Sequence, residues 1–172
     1  GRLDRSFGGK TVPLRNRQFV FDHTSIDHTK YDSLRRAIYL PVIRNNLYSM
    51  FEQFDFPDPT MPTGNRNTTV VAPQALLMMN SELVIDSADA MAGSLIDDRS
   101  DPAQRIELAY SRTLSRTPTD TEIRQALEFI LPMTIDGVAA TADPETQRLA
   151  EIQAWSLFCQ TLLAGNEFIY VR

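Results

Sequence analysis

Two Asp-His pairs, Asp22-His23 and Asp27-His28, contain both histidines of the chain, and Asp32 follows close behind. Imidazole and carboxylate are the usual ligands of zinc, iron and other transition metals. The spacing of five residues between the pairs fits neither a helix face, where ligands recur at three or four, nor a strand face, where they recur at two. Only a loop brings these groups together, so the segment reads first as a polar loop and second as a metal site. Asp55 and Asp58, set among prolines, offer oxygen ligands to a hard cation but lack the ligand pattern of a calcium loop. Capping turns is their plainer use. Arg44-Asn45-Asn46 lies between two apolar stretches and could hold an anion at a helix N-terminus. The simpler arrangement is an Asn cap with Arg44 paired to an Asp.

Other reaction chemistry is not in sight. The sequence has no Gly-x-Ser-x-Gly elbow, no P-loop, no Gly-x-Gly-x-x-Gly and no His-Glu-x-x-His, so the common nucleophile, phosphate, dinucleotide and zinc-protease devices are missing. Cys159 is the only cysteine, which excludes an internal disulfide and the Cys-x-x-Cys-His that attaches a c-type haem. It lies among Trp155, Leu157, Phe158, Leu162 and Leu163 and reads as a buried structural thiol. Met78, Met79 and Met91 read as core packing. An active site wholly inside the chain is therefore not expected.

The elements that must position these residues follow from pattern and punctuation. Residues 1–33 look irregular, with turns at Gly8-Gly9 and Pro13 and a strand-like run only from Gln18 to Phe21. Residues 34–71 read as strand, helix and loop. The β-branched and aromatic content from Arg36 to Ile43 suggests a short strand that Pro41 confines to an edge. Asn45 or Asn46 would then cap a helix carrying Leu47, Met50, Phe51 and Phe54 on one face. Residues 72–172 read as helical. Pro73 opens one helix, and Asn80 or Ser81 caps the next, whose Val84, Ala88, Met91, Ala92 and Leu95 fall at helical spacing. Asp101-Pro102-x-Gln104 and Thr119-x-x-Glu122 are start signals. They precede apolar sets at Ile106, Ala109, Tyr110, Thr113 and Leu114, and at Ile123, Ala126, Leu127, Ile130 and Leu131. Asp143-Pro144 starts the last long helix. Its Leu149, Ile152, Trp155, Phe158, Cys159, Leu162 and Leu163 cover more than one stripe, so it should be central. Gly165 suits a left-handed stop.

At 172 residues with 42% hydrophobic and 23% charged residues, the chain fits one mainly α-helical, bundle-like globular domain with a small β element near its N-terminus. Its longest uncharged stretches, residues 67–81 and 152–166, are 15 residues each and too short to span a bilayer as a helix. Residues 1–50 carry nine of the 17 Lys and Arg but only four of the 22 Asp and Glu, so the N-terminal third is basic and the rest acidic. That asymmetry speaks of packing against acidic protein, an anionic ligand or plain solvation. With a net charge of −5 and no basic run beyond Arg35-Arg36, nucleic acid is a poor partner.

Several ordered blocks carry a resemblance. They are Arg35-Arg36-Ala37-Ile38-Tyr39-Leu40-Pro41-Val42, Arg44-Asn45-Asn46-Leu47-Tyr48 and Phe54-Asp55-Phe56-Pro57-Asp58-Pro59. Further along come Gly64-x-Arg66, Val71-x-Pro73-Gln74-Ala75-Leu76 with Met79-Asn80, Arg116-x-Pro118-Thr119-x-x-Glu122, and Leu163-Ala164-x-Asn166-Glu167-Phe168. From about Arg35 to the C-terminus, with a weaker echo at Gly1-Arg2-Leu3, the chain resembles the C-terminal planctomycete-specific domain of unknown function found in large cytochrome-c-associated proteins.

The resemblance implies an exported or cell-envelope protein with further domains upstream, a parent that can carry haem elsewhere, and a setting in polysaccharide breakdown. It also implies that this single domain is the C-terminal portion of a longer one. The family has no established catalytic residues. The nominations for ligand binding are therefore Arg44, Asn45, Asn46, Asp55, Asp58 and Arg66, with Gln74 and Asn80 as further matched polar positions. The leading expectation is a non-catalytic interaction or scaffolding domain that binds no cofactor itself and partners the upstream domains. Carbohydrate binding or processing comes second, and metal binding at Asp22, His23, Asp27 and His28 third.

Overall fold

A computed structural model describes residues 1–12, 31, 33–44, 46–62, 64, 72–136 and 143–170. Among them the elements are a 3₁₀ turn at Ala37–Tyr39 and the helices α1 (Ser49–Gln53), α2 (Ala72–Asn80), α3 (Glu82–Asp98), α4 (Pro102–Leu114), α5 (Asp120–Asp136), α6 (Pro144–Leu163) and α7 (Asn166–Ile169). The mainly α reading holds. The chain divides into two compact units, Arg2–Leu77 and Met78–Arg172.

The unit Met78–Arg172 is built around α6, which packs against α3, α4, α5 and α7. Its buried residues, Ala154, Trp155, Ser156, Phe158, Cys159 and Leu162, point in several directions, as expected of a central helix. On α3 the fully buried Ala88 and Ala92 stand four residues apart and leave room for α6 to approach. Leu95, Ile106, Ala109, Tyr110, Ala126 and Ile130 complete this core. Burial pushes the thiol of Cys159 up to about 12. The sequence places nearly all of these side chains correctly, but Met79, Leu131 and Leu149, expected inside, are 58%, 40% and 55% exposed.

The helix starts behave as their residues dictate. Asp101 accepts from the amide of Gln104 at 3.0 Å, and Asp143 accepts from those of Glu145 and Thr146 at 3.1 and 2.9 Å. Thr119 and Glu122 bond reciprocally, amide to side chain, in the expected capping box. Ser81 holds the cap position of α3 without a side-chain cap bond. Gly165 departs from expectation. It is not left-handed (φ −71°, ψ 143°) and occupies the cap position of α7. What it provides is a close approach, because a Cβ there would sit 3.2 Å from the carbonyl oxygen of Leu162.

The unit Arg2–Leu77 corrects the β expectation. Among the described residues there is no strand, only an isolated parallel bridge between Asp4 and Arg35. The expected strand from Arg36 to Ile43 is instead the 3₁₀ turn, closed by the Tyr39 amide on the Arg36 carbonyl and the Leu40 amide on the Ala37 carbonyl, both 3.0 Å. The physical reason is that Pro41 has no amide to donate to a ladder and no partner strand is offered among the described residues. Ile38, read as part of that strand, is 83% exposed. The strand-like run from Gln18 to Phe21 lies outside the described residues. Arg35 fastens this region, donating to the Ser6 carbonyl at 2.7 Å and lying 4.2 Å above the ring of Tyr39.

Helix α1 starts later than expected. Tyr48 holds its cap position with no side-chain bond, whereas Asn46 closes a turn by donating its amide to the Ile43 carbonyl at 3.2 Å. Asn45 lies outside the described residues. A helix of five residues is unstable alone, and aromatic contacts hold this one. Tyr31 stacks on Tyr48 at 4.3 Å, Tyr48 meets Phe51 edge-on, and Phe51 stacks on Phe56 at 5.0 Å.

Candidate functional site

A hollow of about 630 Å³ opens in the unit Arg2–Leu77, lined by Arg44, Asn46, Leu47, Glu52, Phe56, Asp58 and Pro59. Three local structures build it. The Ile43–Asn46 turn presents Arg44 and Asn46. Helix α1 carries Glu52. The third is the end of α1, where Asp55 adopts a left-handed conformation with φ 56°. This lets the Phe56 amide reach back to the Phe51 carbonyl at 3.0 Å. That bond, together with the stacked Phe51 and Phe56 rings, is the helix end called a Schellman motif, with Asp55 where glycine is usual. From the far side, the buried side chain of Gln74 donates to the Gln53 carbonyl at 2.7 Å, satisfying one of the carbonyls that α1 leaves open.

Asp58 closes the next turn. Its Oδ1 accepts from the Thr60 hydroxyl at 2.6 Å and from the Thr60 amide at 2.8 Å. These two bonds hold its carboxyl below the usual carboxylate range. The hollow thus brings together Arg44, Asn46 and Asp58 of the nominated residues. Asp55 is used as a chain-reversing residue and does not line it, and Asn45 and Arg66 lie outside the described residues. Sequence reasoning missed Glu52 and Phe56. Glu52 reads as the solvent side of a short helix and Phe56 as part of a stop signal. Only the turn at Asp55 brings them to one rim. The pairs Asp22-His23 and Asp27-His28 lie outside the described residues. Among those described, no three His, Cys, Asp or Glu side chains group as metal ligands.

The other concentration of charge, in Met78–Arg172, is already committed. Arg116 chelates Glu122 (2.7 and 3.0 Å) and Glu167 (2.6 and 2.9 Å) while lying 5.1 Å above the ring of Tyr110. The guanidinium of Arg116 and the amide of Thr119 lower the Glu122 carboxyl to about 2. Buried Arg105 donates to the Arg99 carbonyl and to Glu151 and lies 5.3 Å above the Trp155 ring. Arg112 pairs with Asp98, and Arg148 with Asp97. These pairs join α3 to α4 and α6, α4 to α6, and the α4–α5 turn to α5 and α7.

The family model described as PSD1, a protein of unknown function (DUF1553), matches residues 1–130. The chain belongs to this family. The PSD1 match takes in the whole hollow and runs into α5. It begins earlier and ends earlier than the blocks of resemblance noted in the sequence. Comparison with curated proteins and with solved structures finds no match. Two of those blocks, Arg116 to Glu122 and Leu163 to Phe168, meet through the Arg116–Glu167 pair. In this PSD1 chain, that pair locks the turn between α4 and α5 to α7.

Proposed function

We propose that this chain is a non-catalytic interaction domain of an exported, planctomycete-type multidomain protein, docking onto other domains of its parent. The observation that carries the reading is a pair of large apolar side chains given to solvent, Phe7 at 95% and Ile38 at 83% exposure, with Leu3 and Val42 about half exposed on the same two segments. The two segments meet where the Phe7 ring lies edge-on to Tyr39 at 6.4 Å, and contiguous exposed apolar surface marks interaction sites. The same two segments carry the exposed cations Arg2, Arg5, Lys10 and Arg36, so the fitting partner offers apolar surface together with acidic groups. The family resemblance adds the cell-envelope setting and the cytochrome-c-associated parent, whose haem would be held elsewhere. The test is a titration of the chain with the separately produced remainder of its parent. Phe7→Ser with Ile38→Ser should leave melting unchanged and weaken association at least tenfold, and association should weaken as salt rises. Undiminished association would overturn the reading.

A second reading, carbohydrate handling, comes from the resemblance and would set a sugar against the exposed Phe56 ring of the hollow. A screen of neutral and sulfated glycans tests it.

A further inference from the structure

The hollow of the Arg2–Leu77 unit contains charges that nothing else among the described residues uses. The guanidinium of Arg44 and the carboxylate of Glu52 enter no ion pair there. Asp58 spends Oδ1 on Thr60 and leaves Oδ2 without a partner among the described residues. We propose that this hollow binds a short peptide that carries ammonium groups and a carboxylate around an apolar side chain.

Charge balance argues for this class of ligand over a sugar. One guanidinium and two carboxylates line the hollow, and any occupant must take part of their hydration away. A neutral polyol would strip water from three charges and neutralise none, which is costly. A ligand with two ammonium groups and one carboxylate matches the three in sign and number, so that attraction offsets the lost hydration. The apolar part of the ligand has a surface to rest on, because Leu47, Phe56 and Pro59 complete the lining and the ring of Phe56 is 36% exposed while stacked on Phe51. Size points the same way. The volume of about 630 Å³ lies in the range of small-ligand pockets, well beyond a free amino acid and suited to about three residues. The walls are also set in advance by the turn at Asn46, the helix end at Asp55 and the Asp58–Thr60 turn, so little ordering is needed on binding.

The inference does not rest on the docking surface at Phe7 and Ile38. Its test is a residue-resolved NMR titration of the full chain with lysyl-leucyl-glycine at low ionic strength. Saturable shifts are expected at residues 43–60. Glu52→Gln and Asp58→Asn should each weaken binding about fivefold, the size of an exposed charge contact. Both variants should melt as the parent chain does, since Glu52 is exposed and an asparagine carbonyl can still accept from Thr60. The acetylated and amidated form of the peptide should bind more weakly. Phe7→Ser should leave the titration unchanged, which separates this result from the fate of the docking reading. Absence of saturable shifts, or saturation at the same residues by maltotriose with no loss in the two variants, would overturn the proposal.

Discussion

The two units use charge in opposite ways. In Met78–Arg172, arginines 105, 112, 116 and 148 each meet a carboxylate on another element or at a helix start, over a core whose central helix is buried on several sides. In Arg2–Leu77 the described helices have no buried apolar residue of comparable size, and Arg44, Glu52, Phe7 and Ile38 face outward. Charge that is paired within the fold specifies how helices meet, whereas charge and apolar surface left outside are available to something else. Under the proposed function, the first unit serves as architecture and the second as the part that engages partners.

Stability measurements can break this contrast. The largest effect is expected from Trp155→Ala. Trp155 is 2% exposed, and removing a large buried side chain costs about 3–5 kcal/mol, visible as a lower denaturant midpoint. Arg105→Ala should cost about 2 kcal/mol, through packing on Trp155 as well as the bond to Glu151. The surface changes at Phe7 and Ile38 should stay within about 0.5 kcal/mol. Equal losses in the two units would erase the distinction.

The acid limb of stability sharpens it. Glu122 is held at about 2, below its ordinary 4.5, by Arg116 first and Thr119 second. A carboxylate whose folded value is depressed contributes stability that is fully present above its unfolded value and is lost as the pH falls through the folded one. Melting should therefore decline between about pH 4.5 and pH 2, and Glu122→Gln should flatten that part of the profile. A parallel profile in the variant would mean the pair contributes nothing. A small gain is expected at Asp55, where the left-handed backbone strains any residue with a Cβ. Asp55→Gly should raise stability by about 0.5–1 kcal/mol. It should also leave peptide binding untouched, since the Asp55 side chain does not line the hollow.

Legibility in the sequence followed the same divide. In α3 to α6 the apolar period and the starts at Asp101, Thr119 and Asp143 agree with one another, so local preference and packing gave one answer. Leu149 and Leu131 escaped because an amphipathic pattern reports a face and does not say how far the neighbouring helix extends. In the N-terminal unit, Ile38, Tyr39 and Val42 carry strand preference, yet a strand requires a partner edge, which local sequence cannot supply. The hollow was half legible. Arg44, Asn46 and Asp58 stood out as polar residues beside turns. Glu52 joined them only through the reversal at Asp55, a position where sequence favours glycine.

The seclusion of Cys159 has a practical consequence. Its thiol is wholly covered and held in the protonated form to about pH 12, and only the thiolate reacts appreciably with alkylating reagents. As the sole cysteine, it can serve as a built-in clock. The rate at which a maleimide captures it should report how often the α6 core opens, with no label or engineered residue required.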